Sequence, residues 1–505
     1  MSEIKKAAMY SYLAMLVSII TTILYTPILV KYLGTEEFGV YSLIGSFAAY
    51  LSILDLGLGN AVVKYIATNQ IKGNKKKESN LIGTFIILFS IMSFFACILG
   101  LIIYYSSEKL FSESLNQQAI RDVKIMVLIL TSSIVVSLPL SIFGSVVQAY
   151  EKLILFKIMN LIRIASLPVC GILLVFFGFK SISLIVMSSV INVVVLLFFA
   201  IYSFKKLSIS ISFEKIEIKE IKEIVSYSFF IFLNVLVDQI YWNTGQFILG
   251  IKGSPTDIAV YAISIQFVRM YMTSSTAISG LFLPILTKKV ASKYPVSEIT
   301  NIVINVGRIQ LYILIFIVIG FYFFGKYFLE IWVGNDYKDA YLIVLILMSA
   351  LTIPLSQNVI ISLLQAMNKH VFRSIIFVII AAMNLIISLI VVENFGSIGL
   401  SVVTASSLII GNIIAMNIYY HSYIKLNMVK FFTKNIVFIF IVPLILLLGD
   451  IVRLKEIKSI SDFIIKILIY CVIYLFVTLI TLNKNDKYKI LTRLKNTFLK
   501  GERDA

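Results

Sequence analysis

Fourteen apolar stretches, each long enough to cross a bilayer, take up nearly all of this 505-residue chain. A bilayer core about 30 Å thick needs roughly 20 apolar residues at about 1.5 Å rise each. Composition agrees with that solvent. The chain is 59% hydrophobic and 14% charged, with a mean hydropathy of +0.97; soluble chains run near about 45–50% apolar and about 25% charged. The expectation is an all-α integral membrane protein of about 14 transmembrane helices. Polar segments such as Lys64–Asn80 and Lys205–Glu223 are too short to bury a core of their own. Any activity is therefore expected within the membrane helices or on short loops.

The first seven spans read as Ala7–Leu33, Phe38–Ala67, Leu81–Tyr105, Val123–Tyr150, Leu153–Phe176, Ser181–Phe204 and Ile224–Ile251. The second seven read as Ile258–Thr287, Ile302–Phe324, Ala340–Met367, Phe372–Val392, Ile398–Tyr420, Phe431–Leu448 and Phe463–Leu482. With both termini cytoplasmic, and charges at the span ends counted with the adjoining loop, the inside loops and tails hold 30 Lys and Arg residues and the outside loops 11. Acidic residues divide 11 to 13 and barely discriminate. This positive-inside bias supports both the span count and the orientation. The net charge of +18 is thus topological. It forms no soluble basic face, so no nucleic-acid partner is expected. The basic runs Lys75–Lys77 and Lys205–Lys206 need no partner beyond anionic membrane lipid. The first apolar run is too long for the core of a cleavable signal.

Cys97, Cys170 and Cys471 lie in three separate spans, and His370 and His421 fall at loop edges. Neither set has metal or disulfide spacing, so no metal is expected. Gly320 to Lys326 matches a phosphate-loop pattern, but Tyr327 replaces its Ser or Thr and no strand precedes it. A nucleotide site is rejected on that ground. Energy is then expected from an H+ or Na+ gradient or from the gradient of the substrate itself.

A weak internal repeat is visible. Pro139-Leu140-Ser141 and Gln148-Ala149-Tyr150-Glu151-Lys152 in span four return as Pro354-Leu355-Ser356 and Gln365-Ala366-Met367-Asn368-Lys369 in span ten. The offset covers six helices, an even number, so both copies cross in one direction. Two parallel-related six-helix lobes are expected, residues 1–207 and 208–430, with two further helices and a basic cytoplasmic tail in 431–505.

Ionisable groups deep in a span cost roughly 2.5–3.5 kcal/mol if left facing lipid. Asp55 in span two, Arg163 in span five, Asp238 in span seven and Arg269 in span eight qualify. They either pair as structural salt bridges or line a wet cavity that accepts an anion; Arg suits phosphate because its planar fork donates two parallel hydrogen bonds. Span seven adds Asn234, Gln239, Asn243 and Gln246 on one broad helical face, and span eight adds Gln266. A polar stripe on a helix in lipid must turn inward. Gly57 and Gly59 either permit close helix packing or break span two locally.

Leu33-Gly34-Thr35-Glu36-Glu37-Phe38-Gly39-Val40-Tyr41, then Asp55-Leu56-Gly57-Leu58-Gly59-Asn60 and Lys64-Tyr65, resemble the opening of the Wzx-type polysaccharide flippases. Those belong to the multidrug/oligosaccharidyl-lipid/polysaccharide exporter superfamily. The Gln-Ala turns after spans four and ten resemble that family too. The resemblance implies two six-helix lobes plus two added helices, in a bacterial cytoplasmic membrane with both termini inside. It implies translocation of undecaprenyl-diphosphate-linked oligosaccharide repeat units to the outer leaflet by alternating access, with no enzymatic step. A polysaccharide polymerase is the protein partner it implies. Helices one, two, seven and eight line the cavity of the superfamily, so Asp55, Asn60, Asn234, Asp238, Gln239, Asn243, Gln266 and Arg269 are the expected cavity residues. Arg163, on helix five, fits less well and reads as a structural or cavity charge. Competing readings are a peptidoglycan lipid-precursor flippase, a cation-coupled drug exporter and, from another class, a membrane polysaccharide polymerase. The short outer loops argue against the polymerase.

Overall fold

The computed structural model describes residues 3–214, 218–367, 369 and 371–481. The basic tail after Asn483, Asn368 and His370 lie outside the described residues. Among the described residues every regular element is helical and none is a strand. In chain order these are α1 (Glu3–Leu33), α2 (Thr35–Ser52), α3 (Leu58–Ile71), α4 (Lys75–Phe111), α5 (Gln117–Ala149) and α6 (Leu153–Phe176). Then come α7 (Ser181–Lys205), α8 (Ile218–Lys252), α9 (Pro255–Ser279), α10 (Leu283–Ala291), α11 (Val296–Trp332) and α12 (Ala340–Ser356). The last are α13 (Asn358–Ala366), α14 (Val371–Leu408), α15 (Met416–Ser422), α16 (Met428–Lys434), α17 (Val437–Ile451) and α18 (Ile460–Thr481).

Among the described residues, 11 stretches are long and apolar enough to cross a membrane. One of them, Val371–Ser422, is 52 residues long and covers two of the expected spans. Gly396, at φ 53° and ψ −144°, bends it between them. α8 and α9, of 35 and 25 residues, stand outside that set and carry the polar residues singled out in spans seven and eight. The chain is a multi-pass membrane protein.

The chain divides into two compact units, and the first comprises Met1–Gln266, Trp332–Ile343 and Val371–Ser407. Its core gathers Leu58, Val62 and Ile66 from α3, Phe85 and Phe89 from α4, Ile142 and Val146 from α5, and Phe199 from α7. With no water to bond a broken backbone in hydrocarbon, each irregularity needs an internal partner. Span two is interrupted between α2 and α3, where Leu56 and Gly57 adopt left-handed φ of 49° and 72°. Glycine takes that conformation without strain. The Asp55 carboxylate accepts from the backbone N–H groups of Gly59 and Gly57, satisfying donors at the start of α3. Pro139 cannot donate to the carbonyl of Val135, and the Ser93 hydroxyl on α4 donates to it instead at 3.0 Å. Asn74 and Asn116 cap α4 and α5, accepting from Lys77 N at 3.0 Å and Ala119 N at 2.8 Å. At α9, Ser254 and Asp257 exchange side-chain bonds with each other's backbone N–H, both 3.1 Å, with Pro255 at the first helical position. Gly39 on α2 lies against this Pro255, so close that a Cβ there would overlap the Pro255 carbonyl oxygen.

The second unit comprises Phe267–Ile331, Val344–His370 and Leu408–Ala505. Its core packs Leu311, Ile315 and Ile319 of α11 against Phe438, Ile441 and Ile445 of α17 and Tyr470, Tyr474 and Val477 of α18. Tyr470 donates its hydroxyl to the Phe316 carbonyl at 2.6 Å, and Tyr474 donates to that of Tyr312. Span ten, expected as one helix, breaks at Gln357 into α12 and α13 just after Pro354. Gln357 and Asn417 exchange amide hydrogen bonds of 3.0 and 3.2 Å beside the break, next to a widened turn at Ile409–Ala415. Ser275 donates to the Leu355 carbonyl at 2.6 Å and accepts from Asn358 at 3.0 Å. The Gln-Ala motifs end helices at matching residues: α5 stops at Ala149 and α13 at Ala366.

Candidate functional site

A cavity of about 460 Å³ lies within the first unit, among α1, α2, α6, α7 and the middle of α9. On α1 its lining runs Ser18, Thr21, Thr22, Tyr25, Thr26 and Leu29, in steps of three and one that fall on one helical face. α2 adds Phe38, Tyr41 and Ser42. α6 adds Arg163, Ile164, Leu167 and Pro168, and α7 adds Ser188, Ile191 and Asn192. Gln266 on α9 completes it. Thr26 donates to the Gln266 Oε1 at 3.1 Å, joining α1 to α9. Thr21 and Thr22 donate to the Ser18 carbonyl at 3.0 and 2.7 Å, which leaves their oxygen lone pairs as acceptors.

Arg163 supplies the charge. Its Nη1 donates to the Asn192 Oδ1 at 3.1 Å, and the Asn192 Nδ2 donates to the Ser137 hydroxyl at 2.9 Å. The described lining contains no carboxylate. A half-buried guanidinium at membrane depth is thus held by an amide and not cancelled by an acid. Such a site offers hydroxyls, amides and one uncompensated cation to an anionic, hydroxyl-rich ligand.

The structure brings two of the sequence-predicted residues, Arg163 and Gln266, to this cavity. Asp55 sits at the turn before α3, bonded to the backbone. Asn60 is exposed in the first turn of α3. On α8, Asn234 accepts from Ser374 at 3.3 Å, and exposed Asp238 accepts from the Trp242 indole at 3.1 Å. Gln239 accepts from Asn243, which is buried. Arg269 is exposed on the part of α9 that belongs to the second unit. None of these seven is among the residues lining the cavity. Sequence reasoning missed the hydroxyl face of α1. Its signal was present: Ser18, Thr21, Thr22, Tyr25 and Thr26 repeat at helical spacing, the same test that singled out span seven.

Comparison with known proteins places this architecture. The chain is 23% identical over 418 residues to the uncharacterized membrane protein EpsK of Bacillus subtilis strain 168, covering 80% of this chain and 81% of that one. Its fold is shared with the lipid II flippase MurJ in an inward closed conformation, at a TM-score of 0.68 and 17% identity, over 94% of this chain and 98% of that one. It is shared also with the Vibrio cholerae MATE transporter VcmN in its bent form, at a TM-score of 0.54 and 15% identity, over 85% and 98% of the two chains. The model of the polysaccharide biosynthesis protein family matches residues 4–290, more than half of the sequence, and the chain belongs to that family.

Proposed function

We propose that this protein translocates an undecaprenyl-diphosphate-linked oligosaccharide repeat unit from the inner to the outer leaflet of a bacterial cytoplasmic membrane, for surface polysaccharide assembly. The observation that carries the reading is Arg163, a membrane-depth cation without a carboxylate in a cavity otherwise lined by hydroxyls and amides. An uncompensated charge there is costly unless a ligand supplies the counter-charge. A diphosphate supplies it, and sugars match the hydroxyl and amide lining. Membership of the polysaccharide biosynthesis family supports the saccharide part. The fold shared with transporters supports movement between two open states.

In this reading Arg163 holds the phosphates, and Thr26 and Gln266 meet sugar hydroxyls. Asp55, Asn60, Asn234, Asp238, Gln239, Asn243 and Arg269 meet the polar head group elsewhere on its path. Both termini lie in the cytoplasm, where the basic loops contact anionic lipid. An H+ or Na+ gradient supplies the energy, and a polysaccharide polymerase takes the product.

The test is complementation of a deletion strain. Cells carrying Arg163→Ala at wild-type protein level are expected to lose surface polysaccharide and accumulate lipid-linked repeat units on the inner leaflet. Wild-type polysaccharide in those cells would refute the proposed role of this cavity.

A further inference from the structure

An arginine can only donate hydrogen bonds, so Asn192 must turn its carbonyl toward Arg163 and its amino group away. The amino group meets the Ser137 oxygen at 2.9 Å, and Ser137 is buried on α5 two residues before Pro139. The relay from α5 through α7 to α6 therefore has one direction, and it pins the guanidinium by its Nη1. An aspartate would fill the same space as Asn192 and bind Arg163 more strongly, through a charge-assisted pair. It would also cancel the cavity's charge.

We propose that Asn192 is a positioning residue that aims Arg163 into the cavity while leaving its positive charge intact for a diphosphate-bearing lipid. Its role is defined by what an amide does not do: it orients a cation without neutralising it. The inference rests on the reading of this cavity as the substrate site. Ser137 sets the amide and so acts one step further back.

Binding of undecaprenyl diphosphate to the purified full-length protein tests this, with uncharged undecaprenol as the reference probe. The wild type is expected to prefer the diphosphate. Asn192→Asp is expected to lose about tenfold or more of that preference, the weight of one charge-assisted hydrogen bond, while its melting temperature holds or rises. Asn192→Leu leaves the guanidinium unheld and is expected to weaken diphosphate binding as well. A purely structural Asn192 predicts the opposite pattern: Asp restores the bond and keeps full binding, and only Leu fails. Diphosphate preference retained in Asn192→Asp would therefore overturn the proposal. Arg163→Ala separates the two readings. If it binds the diphosphate as the wild type does, the cavity is not the substrate site. If it loses binding while both Asn192 variants keep it, only the positioning role falls.

Discussion

Two glycines on α2 face opposite environments, and the same substitution at each has opposite expected signs. A Cβ on Gly39 would overlap the Pro255 carbonyl oxygen and lie 2.8 Å from its carbonyl carbon. Carbon atoms in ordinary contact sit about 3.5–4.0 Å apart, so clearing the carbonyl carbon alone needs close to 1 Å, and α2 and the start of α9 must separate further still to clear the oxygen. Pro255 meets Gly39 with backbone, which no rotamer change can move aside. Overpacking of this kind costs about 1–3 kcal/mol, and the rigid partner puts it at the upper end. Alanine in place of glycine within a helix returns about 0.5–1 kcal/mol. The net expectation for Gly39→Ala is a loss of about 2 kcal/mol. Gly45, six residues on, is exposed and has nothing within 4 Å of a Cβ. Gly45→Ala therefore keeps only the gain. A 505-residue membrane protein does not unfold in two states, so the assay is the order of melting temperatures in one detergent. Gly45→Ala should equal or exceed the wild type, and Gly39→Ala should fall below both. A Gly39→Ala protein that melts with the wild type would refute the close approach of α2 to α9.

Ser93→Ala removes the donor that serves the Val135 carbonyl freed by Pro139; a loss of about 1–3 kcal/mol is expected, read as a lowered melting temperature, and an unchanged one would show that carbonyl to be satisfied otherwise. Lys252 bridges Glu113 at 3.2 Å and Glu393 at 3.1 Å. These partners are exposed, so Lys252→Ala should lower the melting temperature little, and less still in high salt. Lys252→Glu brings three carboxylates together and should cost more, with partial rescue by Glu113→Lys; absence of rescue would remove the bridge from consideration.

The helical class and the ends of several spans were legible because hydrocarbon length and loop punctuation act locally. α1 ends at Leu33 and α6 occupies Leu153–Phe176, as the hydropathy pattern predicts. Interruptions inside spans were harder. Gly57 breaks span two and Gly59 packs beside Ser145, two roles that sequence offered as alternatives. Span ten reads as one apolar run, yet it breaks after Pro354 because Gln357 finds Asn417, sixty residues on. That partner is a tertiary fact, invisible to hydropathy. The cavity was legible in only two of its residues, Arg163 and Gln266, for a similar reason. Charge drew attention to Arg163, but its position on helix five argued for a structural part. Only packing shows that α6 and α7 turn Arg163 and Asn192 toward the hydroxyl face of α1. That face went unread because threonine and serine cost little in a membrane helix, bonding back to their own carbonyls as Thr21 and Thr22 do.

The two phenols of α18 have a consequence for engineering. Tyr470 and Tyr474 dock on carbonyl oxygens of α11, main-chain atoms that every residue type supplies. The hydrogen-bonded part of the anchorage therefore does not depend on residue type at Phe316 and Tyr312, although both phenol rings also pack on the Phe316 ring, at centroid distances of 5.2 and 5.0 Å, and it demands the spacing of one helical turn on both partners. A chimaera that imports α17 and α18 from a relative should graft well if it keeps two tyrosines four positions apart, and one that shifts them by a single residue should detach the hairpin.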